Sequence, residues 1–234
     1  MRGTALPGER ASGAGLRVAL TRAAGSNDEL AARLRAEGLE AVECPLVAVE
    51  AIPGPPIRAD AYDWLALTSR NAVELLLRRL EGGLPPVAVV GPGTAQALRK
   101  HGFEPALVAQ PSTQEGLLAA LPRPAGRILF AGARGARDLL VRELGADFVP
   151  LYASVPVRPE AFPPSDLVAL ASGTAARSFA SLAIPLPCVS LGPTTSRAAR
   201  ECGLDVLAEA ETHDLDGLVA AVKLAGSRIA SSPS

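Results

Sequence analysis

Short runs of apolar residues alternate along the chain with segments in which apolar residues recur every three to four positions. Val18-Ala19-Leu20 leads to Leu30, Ala31 and Leu34, and Trp64-Leu65-Ala66-Leu67 leads to Val73, Leu76, Leu77 and Leu80. The first kind of run predicts a strand and the second an amphipathic helix. Strands that are apolar throughout have both faces covered, the condition of a parallel sheet between helix layers. The pattern therefore predicts an α/β, doubly wound architecture. Helix starts are predicted at Ser26, Ser69, Thr94, Thr113, Thr174, Thr194 and Asp214, whose side-chain oxygens can cap free amides. Helix ends are predicted at Gly38, Gly102, Gly145 and Gly203, where a left-handed residue suits glycine.

The same stretches occur twice. Val87 to Val90 followed by Gly91-Pro92-Gly93-Thr94 matches Cys188 to Leu191 followed by Gly192-Pro193-Thr194-Thr195. Upstream of each lies a second pair, Tyr62 to Ser69 against Ser165 to Ser172, and a third pair begins at Arg17 and Arg127. Self-similarity of this kind marks an internal duplication. The strand–helix rhythm breaks at Pro45 to Pro56 and at Leu151 to Pro164, equivalent places in the repeat that are extended and proline-punctuated. They read as two antiparallel crossings between domains. The expected partition is discontinuous: 17–44 and 160–226 form one domain, 53–150 a second inserted into it, and 45–52 with 151–159 the two-stranded hinge. Residues 1–16 and 227–234 are expected to be a disordered extension and tail.

Composition narrows the function classes. A net charge of −1 with dispersed Lys and Arg lacks the basic footprint of a nucleic-acid binder. Cys44, Cys188 and Cys202 show no close pair for zinc or dithiol chemistry and read as buried or incidental thiols. His101 and His213 have no partner at ligand spacing and read as surface residues, so no metal site is expected. No apolar run is long enough to cross a bilayer, and Met1 to Gly15 has no apolar signal-peptide core, so a cytoplasmic protein is expected.

In an open parallel sheet, ligands bind beyond the carboxyl ends of the strands. The turns there are Thr21-Arg22, Thr68-Ser69-Arg70-Asn71, Gly91-Pro92-Gly93-Thr94, Gly132-Ala133-Arg134, Ser172-Gly173-Thr174 and Gly192-Pro193-Thr194-Thr195. They offer hydroxyls, glycine backbone and helix N-termini with almost no acidic side chains. Such turns suit a polyanionic ligand, although Ser, Thr and Gly are also what caps and tight turns require. Paired carboxylates near strand ends are lacking, which disfavours glycosidase-type chemistry. Gly91-Pro92-Gly93 has Gln96 where a dinucleotide fingerprint needs its third glycine, and no P-loop lysine follows a glycine loop.

The ordered set Leu20-Thr21-Arg22, Thr68 to Val73, Gly91 with Thr94-Ala95, Pro150-Leu151-Tyr152, Ser172 to Ala175 and Gly192 to Thr195 resembles the uroporphyrinogen-III synthase family over about residues 17 to 225. The resemblance implies two α/β domains on a two-stranded linker. It also implies cyclisation of linear hydroxymethylbilane in the interdomain cleft, with inversion of the last pyrrole ring, loss of water and no cofactor. Positioning of the substrate would then outweigh proton transfer, with one donor assisting the leaving hydroxyl. Tyr152 matches the tyrosine the family is thought to use as that donor; its alternative role is packing at the hinge. Tyr62 is less well placed. By the same resemblance, Thr94, Thr194 and Thr195 bind the bilane, as do Ser69, Ser172 and Thr174. Thr21, Arg22, Thr68, Asn71, Gly91, Gly132, Arg134, Gly173 and Gly192 complete the expected binding set. Where many relatives carry an arginine after Leu129-Phe130 this chain has Ala131, and Arg134 and Arg137 are the candidates to replace it.

The implied protein is a monomeric hydro-lyase of heme (tetrapyrrole) biosynthesis, with room for a transient contact with the enzyme of the preceding step. Two other readings compete. One is a non-catalytic hinge-closing binder of a polyanionic small molecule, for which the few aromatic residues leave little to stack sugars. The other is a synthase-like module serving a regulator or a fused enzyme, for which no helix-turn-helix or second catalytic block is evident.

Overall fold

The computed structural model describes residues 15–231. In chain order the first half comprises β1 (Arg17–Leu20), α1 (Asp28–Ala36), β2 (Glu40–Glu43), β3 (Val47–Ala51), β4 (Trp64–Leu67) and α2 (Arg70–Leu77), then β5 (Val87–Val90), α3 (Gly91–Lys100), β6 (Leu107–Ala109) and α4 (Gln114–Ala120). The second half comprises β7 (Ile128–Ala133), α5 (Leu139–Leu144), β8 (Asp147–Pro156), β9 (Leu167–Leu170) and α6 (Gly173–Ala180), then β10 (Cys188–Ser190), α7 (Pro193–Glu201), β11 (Val206–Glu209) and α8 (Leu215–Ser231). The chain divides into two compact units, one of Met1–Ala48 with Val155–Ser234 and one of Val49–Ser154.

Each unit carries its own sheet. The first unit has five strands in the order β11-β10-β9-β1-β2, and all neighbouring pairs are parallel. The second has the order β3-β8-β7-β4-β5-β6, with parallel pairing from β8 through β6. Apart from β3, the two orders are the same once the repeats are matched: β2-β1-β9-β10-β11 corresponds to β8-β7-β4-β5-β6. The duplication is thus a duplication of fold, with the chain entering the second copy at a different strand. β3 runs alongside β8, and the Ile52 N–H donates to the Leu151 carbonyl at one end of the pair, at 2.8 Å. At the other end the Val157 N–H donates to the Leu46 carbonyl at 2.9 Å. Partner numbers that rise on one strand and fall on the other define an antiparallel pair.

Apolar residues on both faces of each strand build two core layers per unit. In the first unit Val18, Leu20, Leu167 and Ala169 point into one layer, covered by α1 and α8 through Leu30, Leu34, Leu218 and Val222. Ala19, Val168 and Leu170 point into the other, covered by α6 and α7 through Ala176, Phe179 and Ala199. The second unit repeats this, with Leu65, Leu67 and Leu129 under α2 and α3, and Ala66, Ala88 and Phe130 under α4 and α5. The period-two split of a continuous apolar run is what a sheet covered on both faces requires.

The helix caps are also repeated. Ser69 Oγ accepts from the Ala72 N–H at 3.1 Å and Ser172 Oγ from the Ala175 N–H at 3.2 Å. Thr113 Oγ1 accepts from the Gly116 N–H at 3.1 Å and Asp214 Oδ1 from the Gly217 N–H at 2.8 Å. Gly38, Gly102, Gly145 and Gly203 all have positive φ at helix ends, as expected. Four expected starts differ. Thr94, Thr174 and Thr194 lie inside α3, α6 and α7, because Pro92 and Pro193 open two of these helices and Ser172 caps the third. The start expected at Ser26 falls one residue later, at Asn27. The expected tail is also corrected: α8 continues to Ser231, since its apolar stripe runs on through Ala225 to Ile229 against the core. Of the expected extension, residues 1–14 lie outside the described residues, while Leu16 packs against the core and accepts a hydrogen bond from the Glu40 N–H. Residues 232–234 also lie outside them.

Candidate functional site

Each sheet has one place where the winding reverses. In the first unit α1 leaves β1 towards one face and α6 leaves β9 towards the other, so neighbouring strands send their helices apart. In the second unit the same divergence separates β7, followed by α5, from β4, followed by α2. Diverging connections open a crevice at the carboxyl ends of the two strands, the usual ligand position of such sheets. In the first unit this places Thr21 and Arg22 beside Ser172, Gly173 and Thr174. In the second it places Gly132 and Arg134 beside Thr68, Ser69 and Asn71.

The second unit adds Tyr152 to its crevice by a local irregularity. Gly132 pairs with Pro150, but Ala133 pairs with Tyr152, so one extra residue is accommodated on β8. A bulge re-aims the side chains beside it, and the consecutive Leu151 and Tyr152 accordingly pack into the same core layer. Tyr152 is 7% exposed, and its hydroxyl lies 2.8 Å from Ser69 Oγ, the cap of α2. Burial raises the phenol above its ordinary value and the hydrogen bond to Ser69 offsets part of that, so Tyr152 holds its proton at neutral pH. The Arg134 N–H donates to the Tyr152 carbonyl at 2.6 Å, tying the end of β7 to the bulge. Tyr62, by contrast, precedes β4 at the amino-terminal end of the strands, away from the crevice, where the Arg127 guanidinium stacks over its ring at 4.7 Å.

The next strand ends carry two threonines in equivalent positions. Thr94 in the first turn of α3 is 5% exposed and Thr195 in the first turn of α7 is 6% exposed. Neither hydroxyl has a hydrogen-bond partner among the described residues, so each is available to a ligand or water at its helix end. Thr194 beside it is exposed. Gly91 has φ of 77° and a methyl there would lie 2.9 Å from Ser112 Oγ. Gly192 is extended, and a methyl there would lie 2.8 Å from His213 Cδ2. Gly132 lies under the Phe130 ring.

Thr21 requires a correction. It is fully buried, and its hydroxyl donates to the Ala169 carbonyl at 2.7 Å. It therefore ties β1 to β9 at the crevice and does not itself face a ligand. Arg22 is half-buried, and its carbonyl accepts from Asn27 Nδ2 at 3.2 Å. Thr68, Asn71, Ser172, Gly173 and Thr174 are half-buried at their turns. Ala131 is fully buried within β7. Of its two candidate replacements, Arg137 is engaged with Glu115, which it holds down at about 2, while Arg134 is exposed at the strand end. Cys44 and Cys188 are buried and Cys202 is exposed. No group of three or more His, Cys, Asp or Glu that could hold a metal occurs among the described residues, and no helix there is long and apolar enough to cross a membrane.

Two features escape a reading of the sequence. The Ser69–Tyr152 bond joins residues far apart in the chain through a bulge that no local motif announces. His213, read as a surface residue, is exposed but lies against Gly192; the signal for it is the repeat, since Ser112 and His213 each precede a cap, Thr113 and Asp214.

The family model for uroporphyrinogen-III synthase HemD matches residues 28–220. The uroporphyrinogen-III synthase of Synechococcus elongatus is 31% identical over 254 aligned positions, covering 89% of this chain and 95% of the relative. The chloroplastic uroporphyrinogen-III synthase of Oryza sativa subsp. japonica is 27% identical over 240 positions, covering 88% and 79%. The fold is similar to the crystal structure of a mutant uroporphyrinogen III synthase from the extremely thermophilic bacterium Thermus thermophilus, with a TM-score of 0.51 at 19% identity over 92% of this chain and 100% of that one. With this extent of sequence match, the chain belongs to the uroporphyrinogen-III synthase family.

Proposed function

We propose that the chain is a uroporphyrinogen-III synthase, a cyclising hydro-lyase that closes linear hydroxymethylbilane to uroporphyrinogen III with inversion of the terminal pyrrole ring and loss of water. Family membership supports the reaction, and the observation that carries the mechanism is the buried, protonated Tyr152 held by Ser69 at a strand-end crevice. The substrate is a polycarboxylate, and helix N-termini, hydroxyls and arginines are the groups that bind carboxylates without adding acid–base chemistry of their own. Thr94, Thr195, Thr194, Ser172, Thr174 and Arg134 are assigned to that binding.

Tyr152 donates its phenolic proton to the departing terminal hydroxyl, which leaves as water. The resulting cationic azafulvene is attacked within the same molecule, through a spiro-pyrrolenine that reopens and recloses with the ring inverted, and the proton shed in the final closure restores the Tyr152 phenol. Ser69 orients the phenol, and its own bond from the Ala72 N–H fixes the serine in turn. Proton donation of this kind contributes roughly 10²–10⁴ in rate; holding a flexible chain in the reactive conformation contributes more. The protein acts as a monomer in the cytoplasm. The test is incubation with enzymatically generated hydroxymethylbilane and separation of the type I and type III products after oxidation. Spontaneous closure gives type I, so predominant type III supports the assignment and type I alone defeats it.

A further inference from the structure

We propose that His213 is a substrate contact, its imidazole binding a carboxylate of the bilane at the N-terminus of α7 beside the Thr195 hydroxyl. This rests on the reading of the chain as a bilane cyclase. The first observation is Gly192. Its backbone is extended, with φ of 167°, a conformation any residue adopts, so the turn itself does not demand glycine. A methyl on Gly192 would lie 2.8 Å from His213 Cδ2, 3.1 Å from Nε2 and 3.3 Å from Cγ, so a side chain there would push the ring aside. The glycine provides the seat for the ring.

The second observation is that the seated ring is uncommitted. His213 is exposed and makes no hydrogen bond or ion pair among the described residues. The adjacent Asp214 is turned away to cap α8, taking the Gly217 N–H at 2.8 Å and the Thr212 hydroxyl at 2.9 Å. The third is Thr195, which is 6% exposed with its hydroxyl unpartnered among the described residues at the same helix end. An N–H donor, a hydroxyl and the positive end of the helix dipole are thus all present at one helix end, the kind of place where an anionic group binds. The second unit supplies a comparison. Ser112 holds the equivalent place over Gly91, 2.9 Å from where a methyl would stand, so the duplicated fold presents a neutral hydroxyl there and an imidazole here.

Steady-state kinetics on hydroxymethylbilane test this. His213→Ala is expected to raise KM about tenfold while kcat stays within about twofold, the signature of a lost hydrogen bond to a charged group made equally in ground and transition states. His213→Gln, which keeps an N–H donor, recovers part of the loss. Gly192→Ala displaces the ring and raises KM similarly, and adding it to His213→Ala brings no further loss, because both changes remove one interaction. An unchanged KM in His213→Ala, with the parent protein still making type III product, overturns the proposal and leaves the assigned reaction standing. Type I product alone from the parent protein removes both.

Discussion

Replacing Tyr152 by phenylalanine separates the chemistry of its hydroxyl from the packing of its ring. The ring is 7% exposed among Leu65, Leu67, Val73 and Leu129, and phenylalanine keeps those contacts. The change removes one hydrogen bond, to Ser69, while Ser69 Oγ retains the Ala72 N–H. The net cost of such a bond is about 1 kcal/mol, a fall in Tm of roughly 5 °C for a domain of this size. Loss of a proton donor costs far more in rate, about 10²–10⁴ in kcat, or roughly 3–5 kcal/mol of barrier. The assay is isomer-resolved turnover well below the melting temperature, with Tm measured by calorimetry on the same samples. A type III rate within about fivefold of the parent would refute the donor role, as would a rate loss no larger than the loss of folded protein. Titration offers a second signature. Because burial raises the phenol in the folded state, its contribution to stability is complete below the ordinary value of 10.0 and is lost as pH rises through the higher folded value. That alkaline loss is absent in Tyr152→Phe.

The remaining predictions concern binding and fold. Thr94→Val and Thr195→Val remove hydroxyls that have no partner among the described residues, so stability should change by less than about 0.5 kcal/mol, while KM rises severalfold in steady-state kinetics. Arg134→Ala should raise KM and Arg137→Ala should not. In the latter variant the Glu115 carboxyl should return from about 2 towards the ordinary 4.5, read by NMR titration. The stabilisation that Glu115 adds is present above its ordinary value and lost as pH falls through about 2, and it is small because the pair is exposed. Gly217→Ala would put a methyl 2.0 Å from the Thr212 carbonyl oxygen, a backbone atom that cannot give way, and should cost about 3 kcal/mol in denaturant unfolding.

What is legible in the sequence is what is local. The apolar runs identify the strands because both faces of each are buried, and the caps at Ser69, Thr113 and Asp214 bond within their own helical turns. The repeated stretches lead to the duplication because the same residues do the same work twice: Gly116 lies against the Pro111 carbonyl as Gly217 lies against that of Thr212. What stays hidden depends on distant partners. Thr21 has the composition of a ligand-binding turn, yet its hydroxyl is taken by Ala169, a residue far along the chain. Tyr152 can be singled out by its rarity and its position, but its orientation comes from the bulge opposite Ala133 and its partner from α2. The end of α8 is obscured because Gly226 and Ser227 punctuate the sequence, whereas packing of Ala225 and Ile229 carries the helix past them.

The fate of hydroxymethylbilane tests the assigned reaction most directly. Freshly generated bilane, incubated with the purified protein without added metal or nucleotide, should yield predominantly the type III isomer, at a rate proportional to protein concentration and above the spontaneous closure. Type I product alone, from protein shown by calorimetry to be folded, would contradict the assignment and leave a family fold without the family's reaction.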